Sequence, residues 1–565
     1  MTSAEGQRQA NGTHQPTERS PLLASNHGSD TQIIETRNGE QETQPQDDND
    51  TPLAKEPSFK YLLVIVATVW TGSFFAALDT TIVATLAGPI SSSFDSFTLY
   101  SWLASAYLIA NAAFQPLSGK LTDIFSRRSG LVFANLSFAI GNLICGLAKS
   151  PSVMILGRVV SGFGGGGLQT VSVFVVTDLI PLRRRGLWQG FGNIVFGLGM
   201  GLGGTFGGLM NDRLNWRWGF LIQVPFFAIN ALICYFVINI PVKSTDKARW
   251  KRVDFLGSFL LVTSLVLLLI GLNTGGNQVP WTHPLILTTI PLSFVVLAAY
   301  IYVEACGVPE PIIPVRLLTR RTVFWACFTN WFGAMSAFTA LYYLPLFAQA
   351  KGESSARSGL RQIPFAAGTS LGSLSAGYIM RLTGRYRYLT IFISSILLLS
   401  GILIFTTLNF TTPDWKAYLY LSFSGFGYGG LLTVTIVAMI AAVDHIHQAT
   451  ITAASYAFRS TGSSIGITIS SAVFQNLLTK SLCSRFASHP HADQIIRRIR
   501  EDFGSINRIG VPGSGIPEEW RQGVVKSYMD AFKGVWATLL GMVVLCALSS
   551  LLMREHKLFA TLERK

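Results

Sequence analysis

The sequence predicts an all-α protein embedded in a membrane and crossing it many times, and three observations carry that reading. Only 13% of the 565 residues are charged while 49% are hydrophobic, and the mean hydropathy is +0.40; soluble chains carry about 25% charged residues. Fourteen apolar runs of about 20 residues follow one another, each long enough to cross a bilayer as a helix. The basic residues gather in alternate short connections between those runs. A chain of soluble domains is excluded.

Residues 1–57 come first, rich in Gln, Asn, Thr, Ser, Asp and Glu and poor in large apolar side chains, a composition that predicts disorder. This tail holds 4 Lys/Arg against 10 Asp/Glu, a net −6, so the rest of the chain carries +20 of the overall +14. The predicted spans are 61–87, 98–118, 130–148, 152–180, 187–210, 218–238, 255–273, 284–303, 323–349, 360–380, 388–408, 415–442, 450–476 and 531–553. An even count puts both termini on one side.

With the acidic tail in the cytoplasm, Arg127-Arg128, Arg183 to Arg185, Lys243 to Arg252, Arg316 to Arg321 and Arg381 to Arg387 all fall on the cytoplasmic face, as the positive-inside rule requires. The connection 350–361, with Lys351, Arg357 and Arg361, dissents by falling on the far side. This distribution, rather than one basic surface, argues against nucleic acid as a partner and for the lipid bilayer. The Asn409-Phe410-Thr411 sequon lies in a far-side connection, which makes Asn409 a candidate for glycosylation. A long far-side loop is expected over about 477–530, its R-R-I-R-E-D-F run suited to an amphipathic helix.

Cys145, Cys234, Cys306, Cys327 and Cys546 lie in or beside apolar runs and Cys483 in the long loop, with no spacing for a disulfide framework or a zinc site. His445 and His447, and His489 and His491, read as loop residues rather than metal ligands. No cleavable leader pattern stands near the N-terminus, so the first span is expected to direct insertion. No Ser/His/Asp grouping, P-loop or carboxylate pair appears, so the expectation is no enzyme, no catalytic residue, no cofactor and no metal.

Asp79, in F-F-A-A-L-D-T-T-I-V, stands near the end of the first apolar run. An ionisable side chain at membrane depth costs roughly 2.5–3.5 kcal/mol on insertion scales, so it faces a water-filled cavity, a partner or a proton path. Arg158 and Arg459 are further charges within apolar runs. Asn111, Gln115, Gln169, Asn193, Gln223, Asn230, Asn330, Tyr342 and Tyr343 are polar groups that either line a cavity or hydrogen-bond between helices.

Gly119 to Arg128 reads G-K-L-T-D-I-F-S-R-R between the second and third runs: a Gly for a tight turn, an acid, Asp123, suited to a helix N-terminus, and Arg127 and Arg128 placed to meet a carboxylate. This resembles the signature loop of the major facilitator superfamily. A degraded copy, Gly377 to Arg387, has Arg381 where the first has Asp123. The run G-F-G-G-G-G from Gly162 to Gly167 matches G-x-G-x-x-G, yet it continues a membrane run and suits close helix packing rather than a dinucleotide. Gly199, Gly203 and Gly207, with Gly208, form a small-residue face in the fifth run. It is similar to the antiporter motif of drug–proton antiporters, with Gly204 where that branch has Pro. L-D-T-T-I-V, W-R-W-G-F at Trp216 to Phe220 and A-F-R-S-T-G-S-S-I-G at Ala457 to Gly466 resemble other segments of the fourteen-span members of that branch.

The resemblance covers about residues 60–555 and implies the major facilitator fold. It implies a bundle of six helices in 58–240, two extra central helices in 241–321, a second bundle of six in 322–555 and a cytoplasmic tail, 556–565. It also makes Asp178 the carboxylate that the signature loop meets, in a network that locks one conformation. Arg158 becomes the fourth-helix Arg proposed for proton transfer, with snorkelling to the far interface as the alternative. Asp79 either couples protons or anchors the first helix.

In the tail, Glu18-Arg-Ser-Pro-Leu22-Leu23 fits the acidic dileucine form read by sorting adaptor complexes. The whole chain is similar to fungal vacuolar transporters of basic amino acids. The implied function is proton antiport of a small molecule, Lys, Arg or His, into the vacuole by a monomer. The alternatives are a plasma-membrane drug exporter and a transporter-like sensor without turnover.

Overall fold

A computed structural model describes residues 58–94, 96, 98–180, 182–239, 254–275, 279–306, 315–443, 448–486, 489, 492–501 and 517–556. The acidic tail with its dileucine, the Lys243 to Arg252 cluster and the His445–His447 pair lie outside the described residues. Apart from a single bridge between Gly275 and Val279, the described regular structure is helical.

The first run folds as α1 (Phe59–Ser93), whose Ser58 side chain caps the start by accepting from the Tyr61 amide at 3.4 Å. Because α1 runs to Ser93, Asp79 stands well inside the helix rather than near its end. Next come α2 (Thr98–Ile124), α3 (Arg127–Leu147) and α4 (Pro151–Leu179). Ser126 and Ser150 cap α3 and α4, with Pro151 at the start of α4, where its missing N–H costs nothing. Then follow α5 (Leu182–Arg213), α6 (Trp216–Leu221) and α7 (Gln223–Val237). The expected span 218–238 is thus interrupted at Ile222. Pro225 accounts for the break, since it cannot donate to the Leu221 carbonyl one turn earlier and its ring crowds it.

The pair α8 (Phe255–Thr274) and α9 (Pro284–Cys306) is followed by the short α10 (Val315–Leu318). The last part holds α11 (Arg321–Ala350), α12 (Ser355–Leu360), α13 (Ile363–Thr383), α14 (Arg387–Thr407), α15 (Asp414–Ala441), α16 (Gln448–Phe486), α17 (Ala492–Glu501) and α18 (Arg521–Leu551). The second signature-like loop is closed by Gly384, whose φ of +64° makes the left-handed cap that ends α13. The far-side loop expected over 477–530 is shorter, because α16 continues to Phe486 and α18 begins at Arg521. Within it α17 forms over the expected amphipathic run, with Ile496 and Ile499 buried.

Among the described residues, eleven helical segments are long and apolar enough to cross a membrane. The expected count of fourteen rests on three more, α2, α13 and α16, whose 27, 21 and 39 residues suffice in length but are more polar. Their polarity faces inward, as the site below shows. Exposed Leu136, Phe236, Phe259, Val295 and Phe392 form an outer surface suited to lipid.

Helix α1 packs on α5, and α2 and α3 pack on α4; α11 packs on α16 and α18, and α13 on α15. Two seams join these groups, α2 against α16 and α5 against α12 and α13. Helices α8 and α9 pack on one another and bury only 28% and 17% of their spans against 83% for α11, so they lie at the periphery.

Candidate functional site

Asp79 on α1 and Arg158 on α4 meet in an ion pair, Arg158 Nη1 donating to Asp79 Oδ2 at 2.8 Å, with both side chains fully buried. Arg158 Nε donates to the Leu103 carbonyl of α2 at 3.1 Å, and the guanidinium lies 4.5 Å from the centre of the Tyr107 ring. Gln223 of α7 donates to the Gly219 carbonyl at 2.8 Å and to Asp79 Oδ1 at 3.4 Å. Among the described residues Arg158 Nη2 has no hydrogen-bond partner. Two charges held in a low-dielectric interior are tolerable only when paired and hydrogen-bonded, and removing either strands the other. The snorkelling alternative for Arg158 is therefore corrected: the side chain turns into the bundle.

Glycines bring the helices close enough for this. A Cβ on Gly162 would fall 2.5 Å from the Tyr107 carbonyl, one on Gly166 2.7 Å from the Asn111 carbonyl, and one on Gly164 2.6 Å from the Ala134 carbonyl. The glycine run is thus a packing surface of α4 against α2 and α3, as expected. On α5, Gly199, Gly203 and Gly207 lie against Phe74, Leu78 and Ile82 of α1, so the antiporter-like face cradles the turn that carries Asp79. Gly208 faces away from it, its Cβ position 2.4 Å from Ala356 of α12. With Gly197 against Ser370, Gly201 against Ala366 and Gly204 against Gln362, it makes a second glycine face toward α12 and α13. Sequence reasoning missed that face, although its spacings of four and three residues are a helical signal.

A cavity whose empty space, open solvent included, is about 1270 Å³ lies between the two seams. Its wall includes Thr80 and Tyr107, which separate it from the ion pair, and Trp70, Trp188, Tyr428 and Phe338. Asn111, Gln169 and Asn193 line it, as does Arg459 of α16, whose guanidinium lies over the Tyr456 ring at 4.2 Å. Arg459 is therefore not brought to the Asp79–Arg158 pair but occupies the cavity wall.

On the side of Thr85 and Gln349 the cavity is shut. Gln349 donates to the Thr85 carbonyl at 3.0 Å, Tyr342 to the Thr80 carbonyl at 3.4 Å, and the Ala356 amide to Asp212 at 3.1 Å. Across the α2–α16 seam, Ser460 donates to Asn111 Oδ1 at 3.2 Å and Gln115 Oε1 at 3.1 Å. The cavity thus opens toward the face that carries Arg127 and Asp178.

At that face Arg127 Nε donates to Asp178 Oδ2 at 3.0 Å and Nη1 to Thr122 at 3.0 Å, tying α3 to α4. Two expectations for the signature loop are corrected. Gly119 lies inside α2 rather than at a turn, because the helix continues to Ile124 and leaves Phe125 and Ser126 as the connection. Arg128 stacks on Tyr235 at 3.9 Å, where an aromatic face substitutes for a carboxylate. Asp123 falls in the last turn of α2.

The dissenting basic connection 350–361 is balanced by acids. Arg361, nearly buried, pairs with Glu353 and with Asp414 at 2.7 Å, while Lys351 and Arg357 reach Asp414 at 3.3 and 3.7 Å. Burial opposes the charge on Arg361, but the two carboxylates outweigh it and raise its pKa above the ordinary guanidinium value. Asn409 is half-buried in the turn before α15, where Phe410 stacks on Phe347. Of the other polar groups, Asn230 bonds Asn135 and Asn330 bonds Ser455 and Thr435, joining helices away from the cavity. Tyr107 was missed, although it shares a four-residue spacing with Asn111 and Gln115.

The family model described as Major Facilitator Superfamily matches residues 69–467. The chain is 39% identical to Multidrug resistance protein fnx1 of Schizosaccharomyces pombe over 84% of its length and 89% of that protein. It is 35% identical to the Vacuolar membrane amino acid uptake transporter fnx2 of the same organism, covering 81% of this chain and 78% of that one. It is 32% identical to Vacuolar basic amino acid transporter 2 of Saccharomyces cerevisiae, covering 77% and 94%. Among solved structures, a bacterial homolog of the human lysosomal transporter Spinster, inward-facing and unoccupied, superposes with a TM-score of 0.60 at 15% identity, covering 88% of this chain and 98% of that one.

Proposed function

The chain belongs to the major facilitator superfamily, and from that premise we propose that it is a proton antiporter moving basic amino acids from the cytosol into the vacuole. The observation that carries the proton part is the fully buried Asp79–Arg158 pair, set one layer behind the cavity wall at Thr80 and Tyr107. A proton on Asp79 cancels its charge and leaves Arg158 uncompensated in a dry site, which is costly. The pair therefore favours one arrangement of α1 and α4 when Asp79 is charged and another when it is protonated. Residues 58–240 and 322–555 are the two halves that rock, with 241–321 as the linking pair. On this reading the state open toward Arg127 and Asp178 would be the cytosol-facing one, in which substrate loads. Luminal protons would reach Asp79 when the halves part at Gln349 and Thr85.

The names of fnx2 and the yeast basic amino acid transporter support the vacuole and the substrate class. A second reading, a plasma-membrane exporter of drugs by the same antiport, is favoured by the 39% identity to a multidrug resistance protein and by the aromatic cavity wall. Uptake of labelled Lys, Arg and His into acidified vesicles containing the purified protein decides between them. Uptake abolished by a protonophore is expected; acidified vesicles that take up none of the three would refute the amino-acid reading.

A further inference from the structure

Among the described residues, Arg459 is the one charged residue in the wall of the central cavity. Among the described residues it makes no ion pair; its neighbour on the wall is the Tyr456 ring at 4.2 Å. The carboxylate that could answer it, Asp79, is fully buried and already held by Arg158 at 2.8 Å. Two more hydrogen-bond donors on the same wall, Asn111 Nδ2 and Tyr107 Oη, both on side chains at 1% exposure, find no well-formed hydrogen bond among the described residues, the phenol lying beside Thr80 and Asn111. They converge, since a Cβ on Gly165 would lie 2.3 Å from Tyr107 Oη and 2.9 Å from Asn111 Nδ2. Ser460, next to Arg459 in sequence, hydrogen-bonds to Asn111 Oδ1, which places the start of this donor group beside the arginine across the α2–α16 seam.

An unbalanced guanidinium with under-satisfied donors beside it is a surface for an acceptor-rich anion. Cationic ligands without an acid would meet only repulsion from Arg459, and the indole and phenol faces of Trp70, Trp188 and Tyr428 remain for a side-chain ammonium or guanidinium. We propose that Arg459, with Asn111 and Tyr107, binds the α-carboxylate of the transported amino acid, so that selection is for the carboxylate first and for the side chain second. This rests on the amino-acid reading above and adds the group by which the cavity tells an amino acid from the corresponding amine. Because the anchor sits on the seam, a carboxylate held there touches both α2 and α16.

The test uses the full-length protein in vesicles, with labelled lysine as substrate and two probes as competitors: cadaverine, which is lysine without its carboxylate, and lysine methyl ester, in which the carboxylate is masked. In the wild-type protein both are expected to compete far more weakly than lysine. A charge-assisted hydrogen bond lost from a buried site corresponds to about a ten- to hundredfold loss of affinity. Arg459→Gln is therefore expected to raise the KM for lysine by about that factor with kcat much less changed, and Arg459→Lys to recover part of it. Cadaverine competing as well as lysine in the wild type would overturn the proposal while leaving amino-acid transport intact, and needs no variant that folds. Arg459→Gln that lowers kcat with KM unchanged would also overturn it. Wild-type vesicles that carry a drug cation but no lysine would instead overturn the functional reading on which it rests.

Discussion

Gly203 lies so close to the Leu78 carbonyl that a methyl group on it would fall 2.2 Å from that oxygen and 2.2 Å from Thr81 Oγ1. Helix α5 thus touches bare backbone one residue before the buried acid. Gly203→Ala must push α1 and α5 apart. A loss of about 1–3 kcal/mol in stability is expected, with proton-driven uptake lost. Gly541→Ala, where nothing lies within 4 Å, is the control and is expected to leave both unchanged. Thermal unfolding in detergent and vesicle uptake read the two effects separately.

Removing one member of the Asp79–Arg158 pair leaves the other charge stranded. Asp79→Ala is expected to lose about 3–5 kcal/mol of stability. Asp79→Ala/Arg158→Leu is expected to recover most of it while remaining unable to couple uptake to a proton gradient. Asp79→Asn keeps the shape and a hydrogen bond to Arg158, so it is expected to reach its membrane normally and lose proton-driven uptake. Normal proton-driven uptake by that variant would falsify a coupling role and leave Asp79 as an anchor of α1.

The Arg127–Asp178 pair is more exposed, Asp178 at 38%, so its direct worth to stability is small, at most about 1 kcal/mol. Its effect is expected in the turnover rate instead. Arg127→Ala and Asp178→Asn should slow uptake with little change in unfolding temperature, and the exchanged pair, Arg127→Asp/Asp178→Arg, should restore part of the rate. Equal loss in all three variants would show that position, not pairing, matters.

In the second signature-like loop Tyr386, between α13 and α14, donates to the Arg554 carbonyl at 2.6 Å and accepts from the His556 amide at 2.9 Å. Burial pushes its phenol up to about 12, against a smaller lowering by the His556 amide. A pKa raised in the folded state contributes stability below the unfolded value of about 10 that is lost as pH rises toward the folded value. Tyr386→Phe is expected to be less stable at neutral pH and to show a shallower decline between about pH 10 and 12. Parallel alkaline melting curves of the two proteins would contradict this.

For delivery, Leu22→Ala/Leu23→Ala is expected to divert a fluorescently tagged protein from the vacuolar membrane to the plasma membrane. Unchanged vacuolar delivery in the double variant would remove the dileucine from the account.

Much of the helical architecture was legible because bilayer length imposes apolar runs of fixed size, and each expected run overlaps a helix. The break at Ile222 was not, since one proline near the start of a segment reads as a tolerated position until its partner carbonyl is identified. Asp79 and Arg158 stood out singly, as charges where charge is costly. Their pairing did not, because 79 residues separate them and no local pattern records which helices touch. Tyr107 was hidden for a different reason: an aromatic in an apolar run looks the same whether it faces lipid or a cavity. The charges of the 350–361 connection read as a violation of topology until Asp414, distant in sequence, was seen to balance them.

Ten of the 32 residues of α5 are glycine. In water each would weaken a helix by about 1 kcal/mol relative to alanine, so this segment would not hold together by its own preferences. In the bilayer core an unpaired backbone group is costlier still, and the helix persists because its surroundings offer no alternative. The result is a mechanically compliant rod, with α1 and its acid on one flank and α12 and α13 on the other. Under the proposed coupling, a change of charge at Asp79 would be relayed to α12 and α13 as a deformation of α5 rather than as the sliding of a rigid strut.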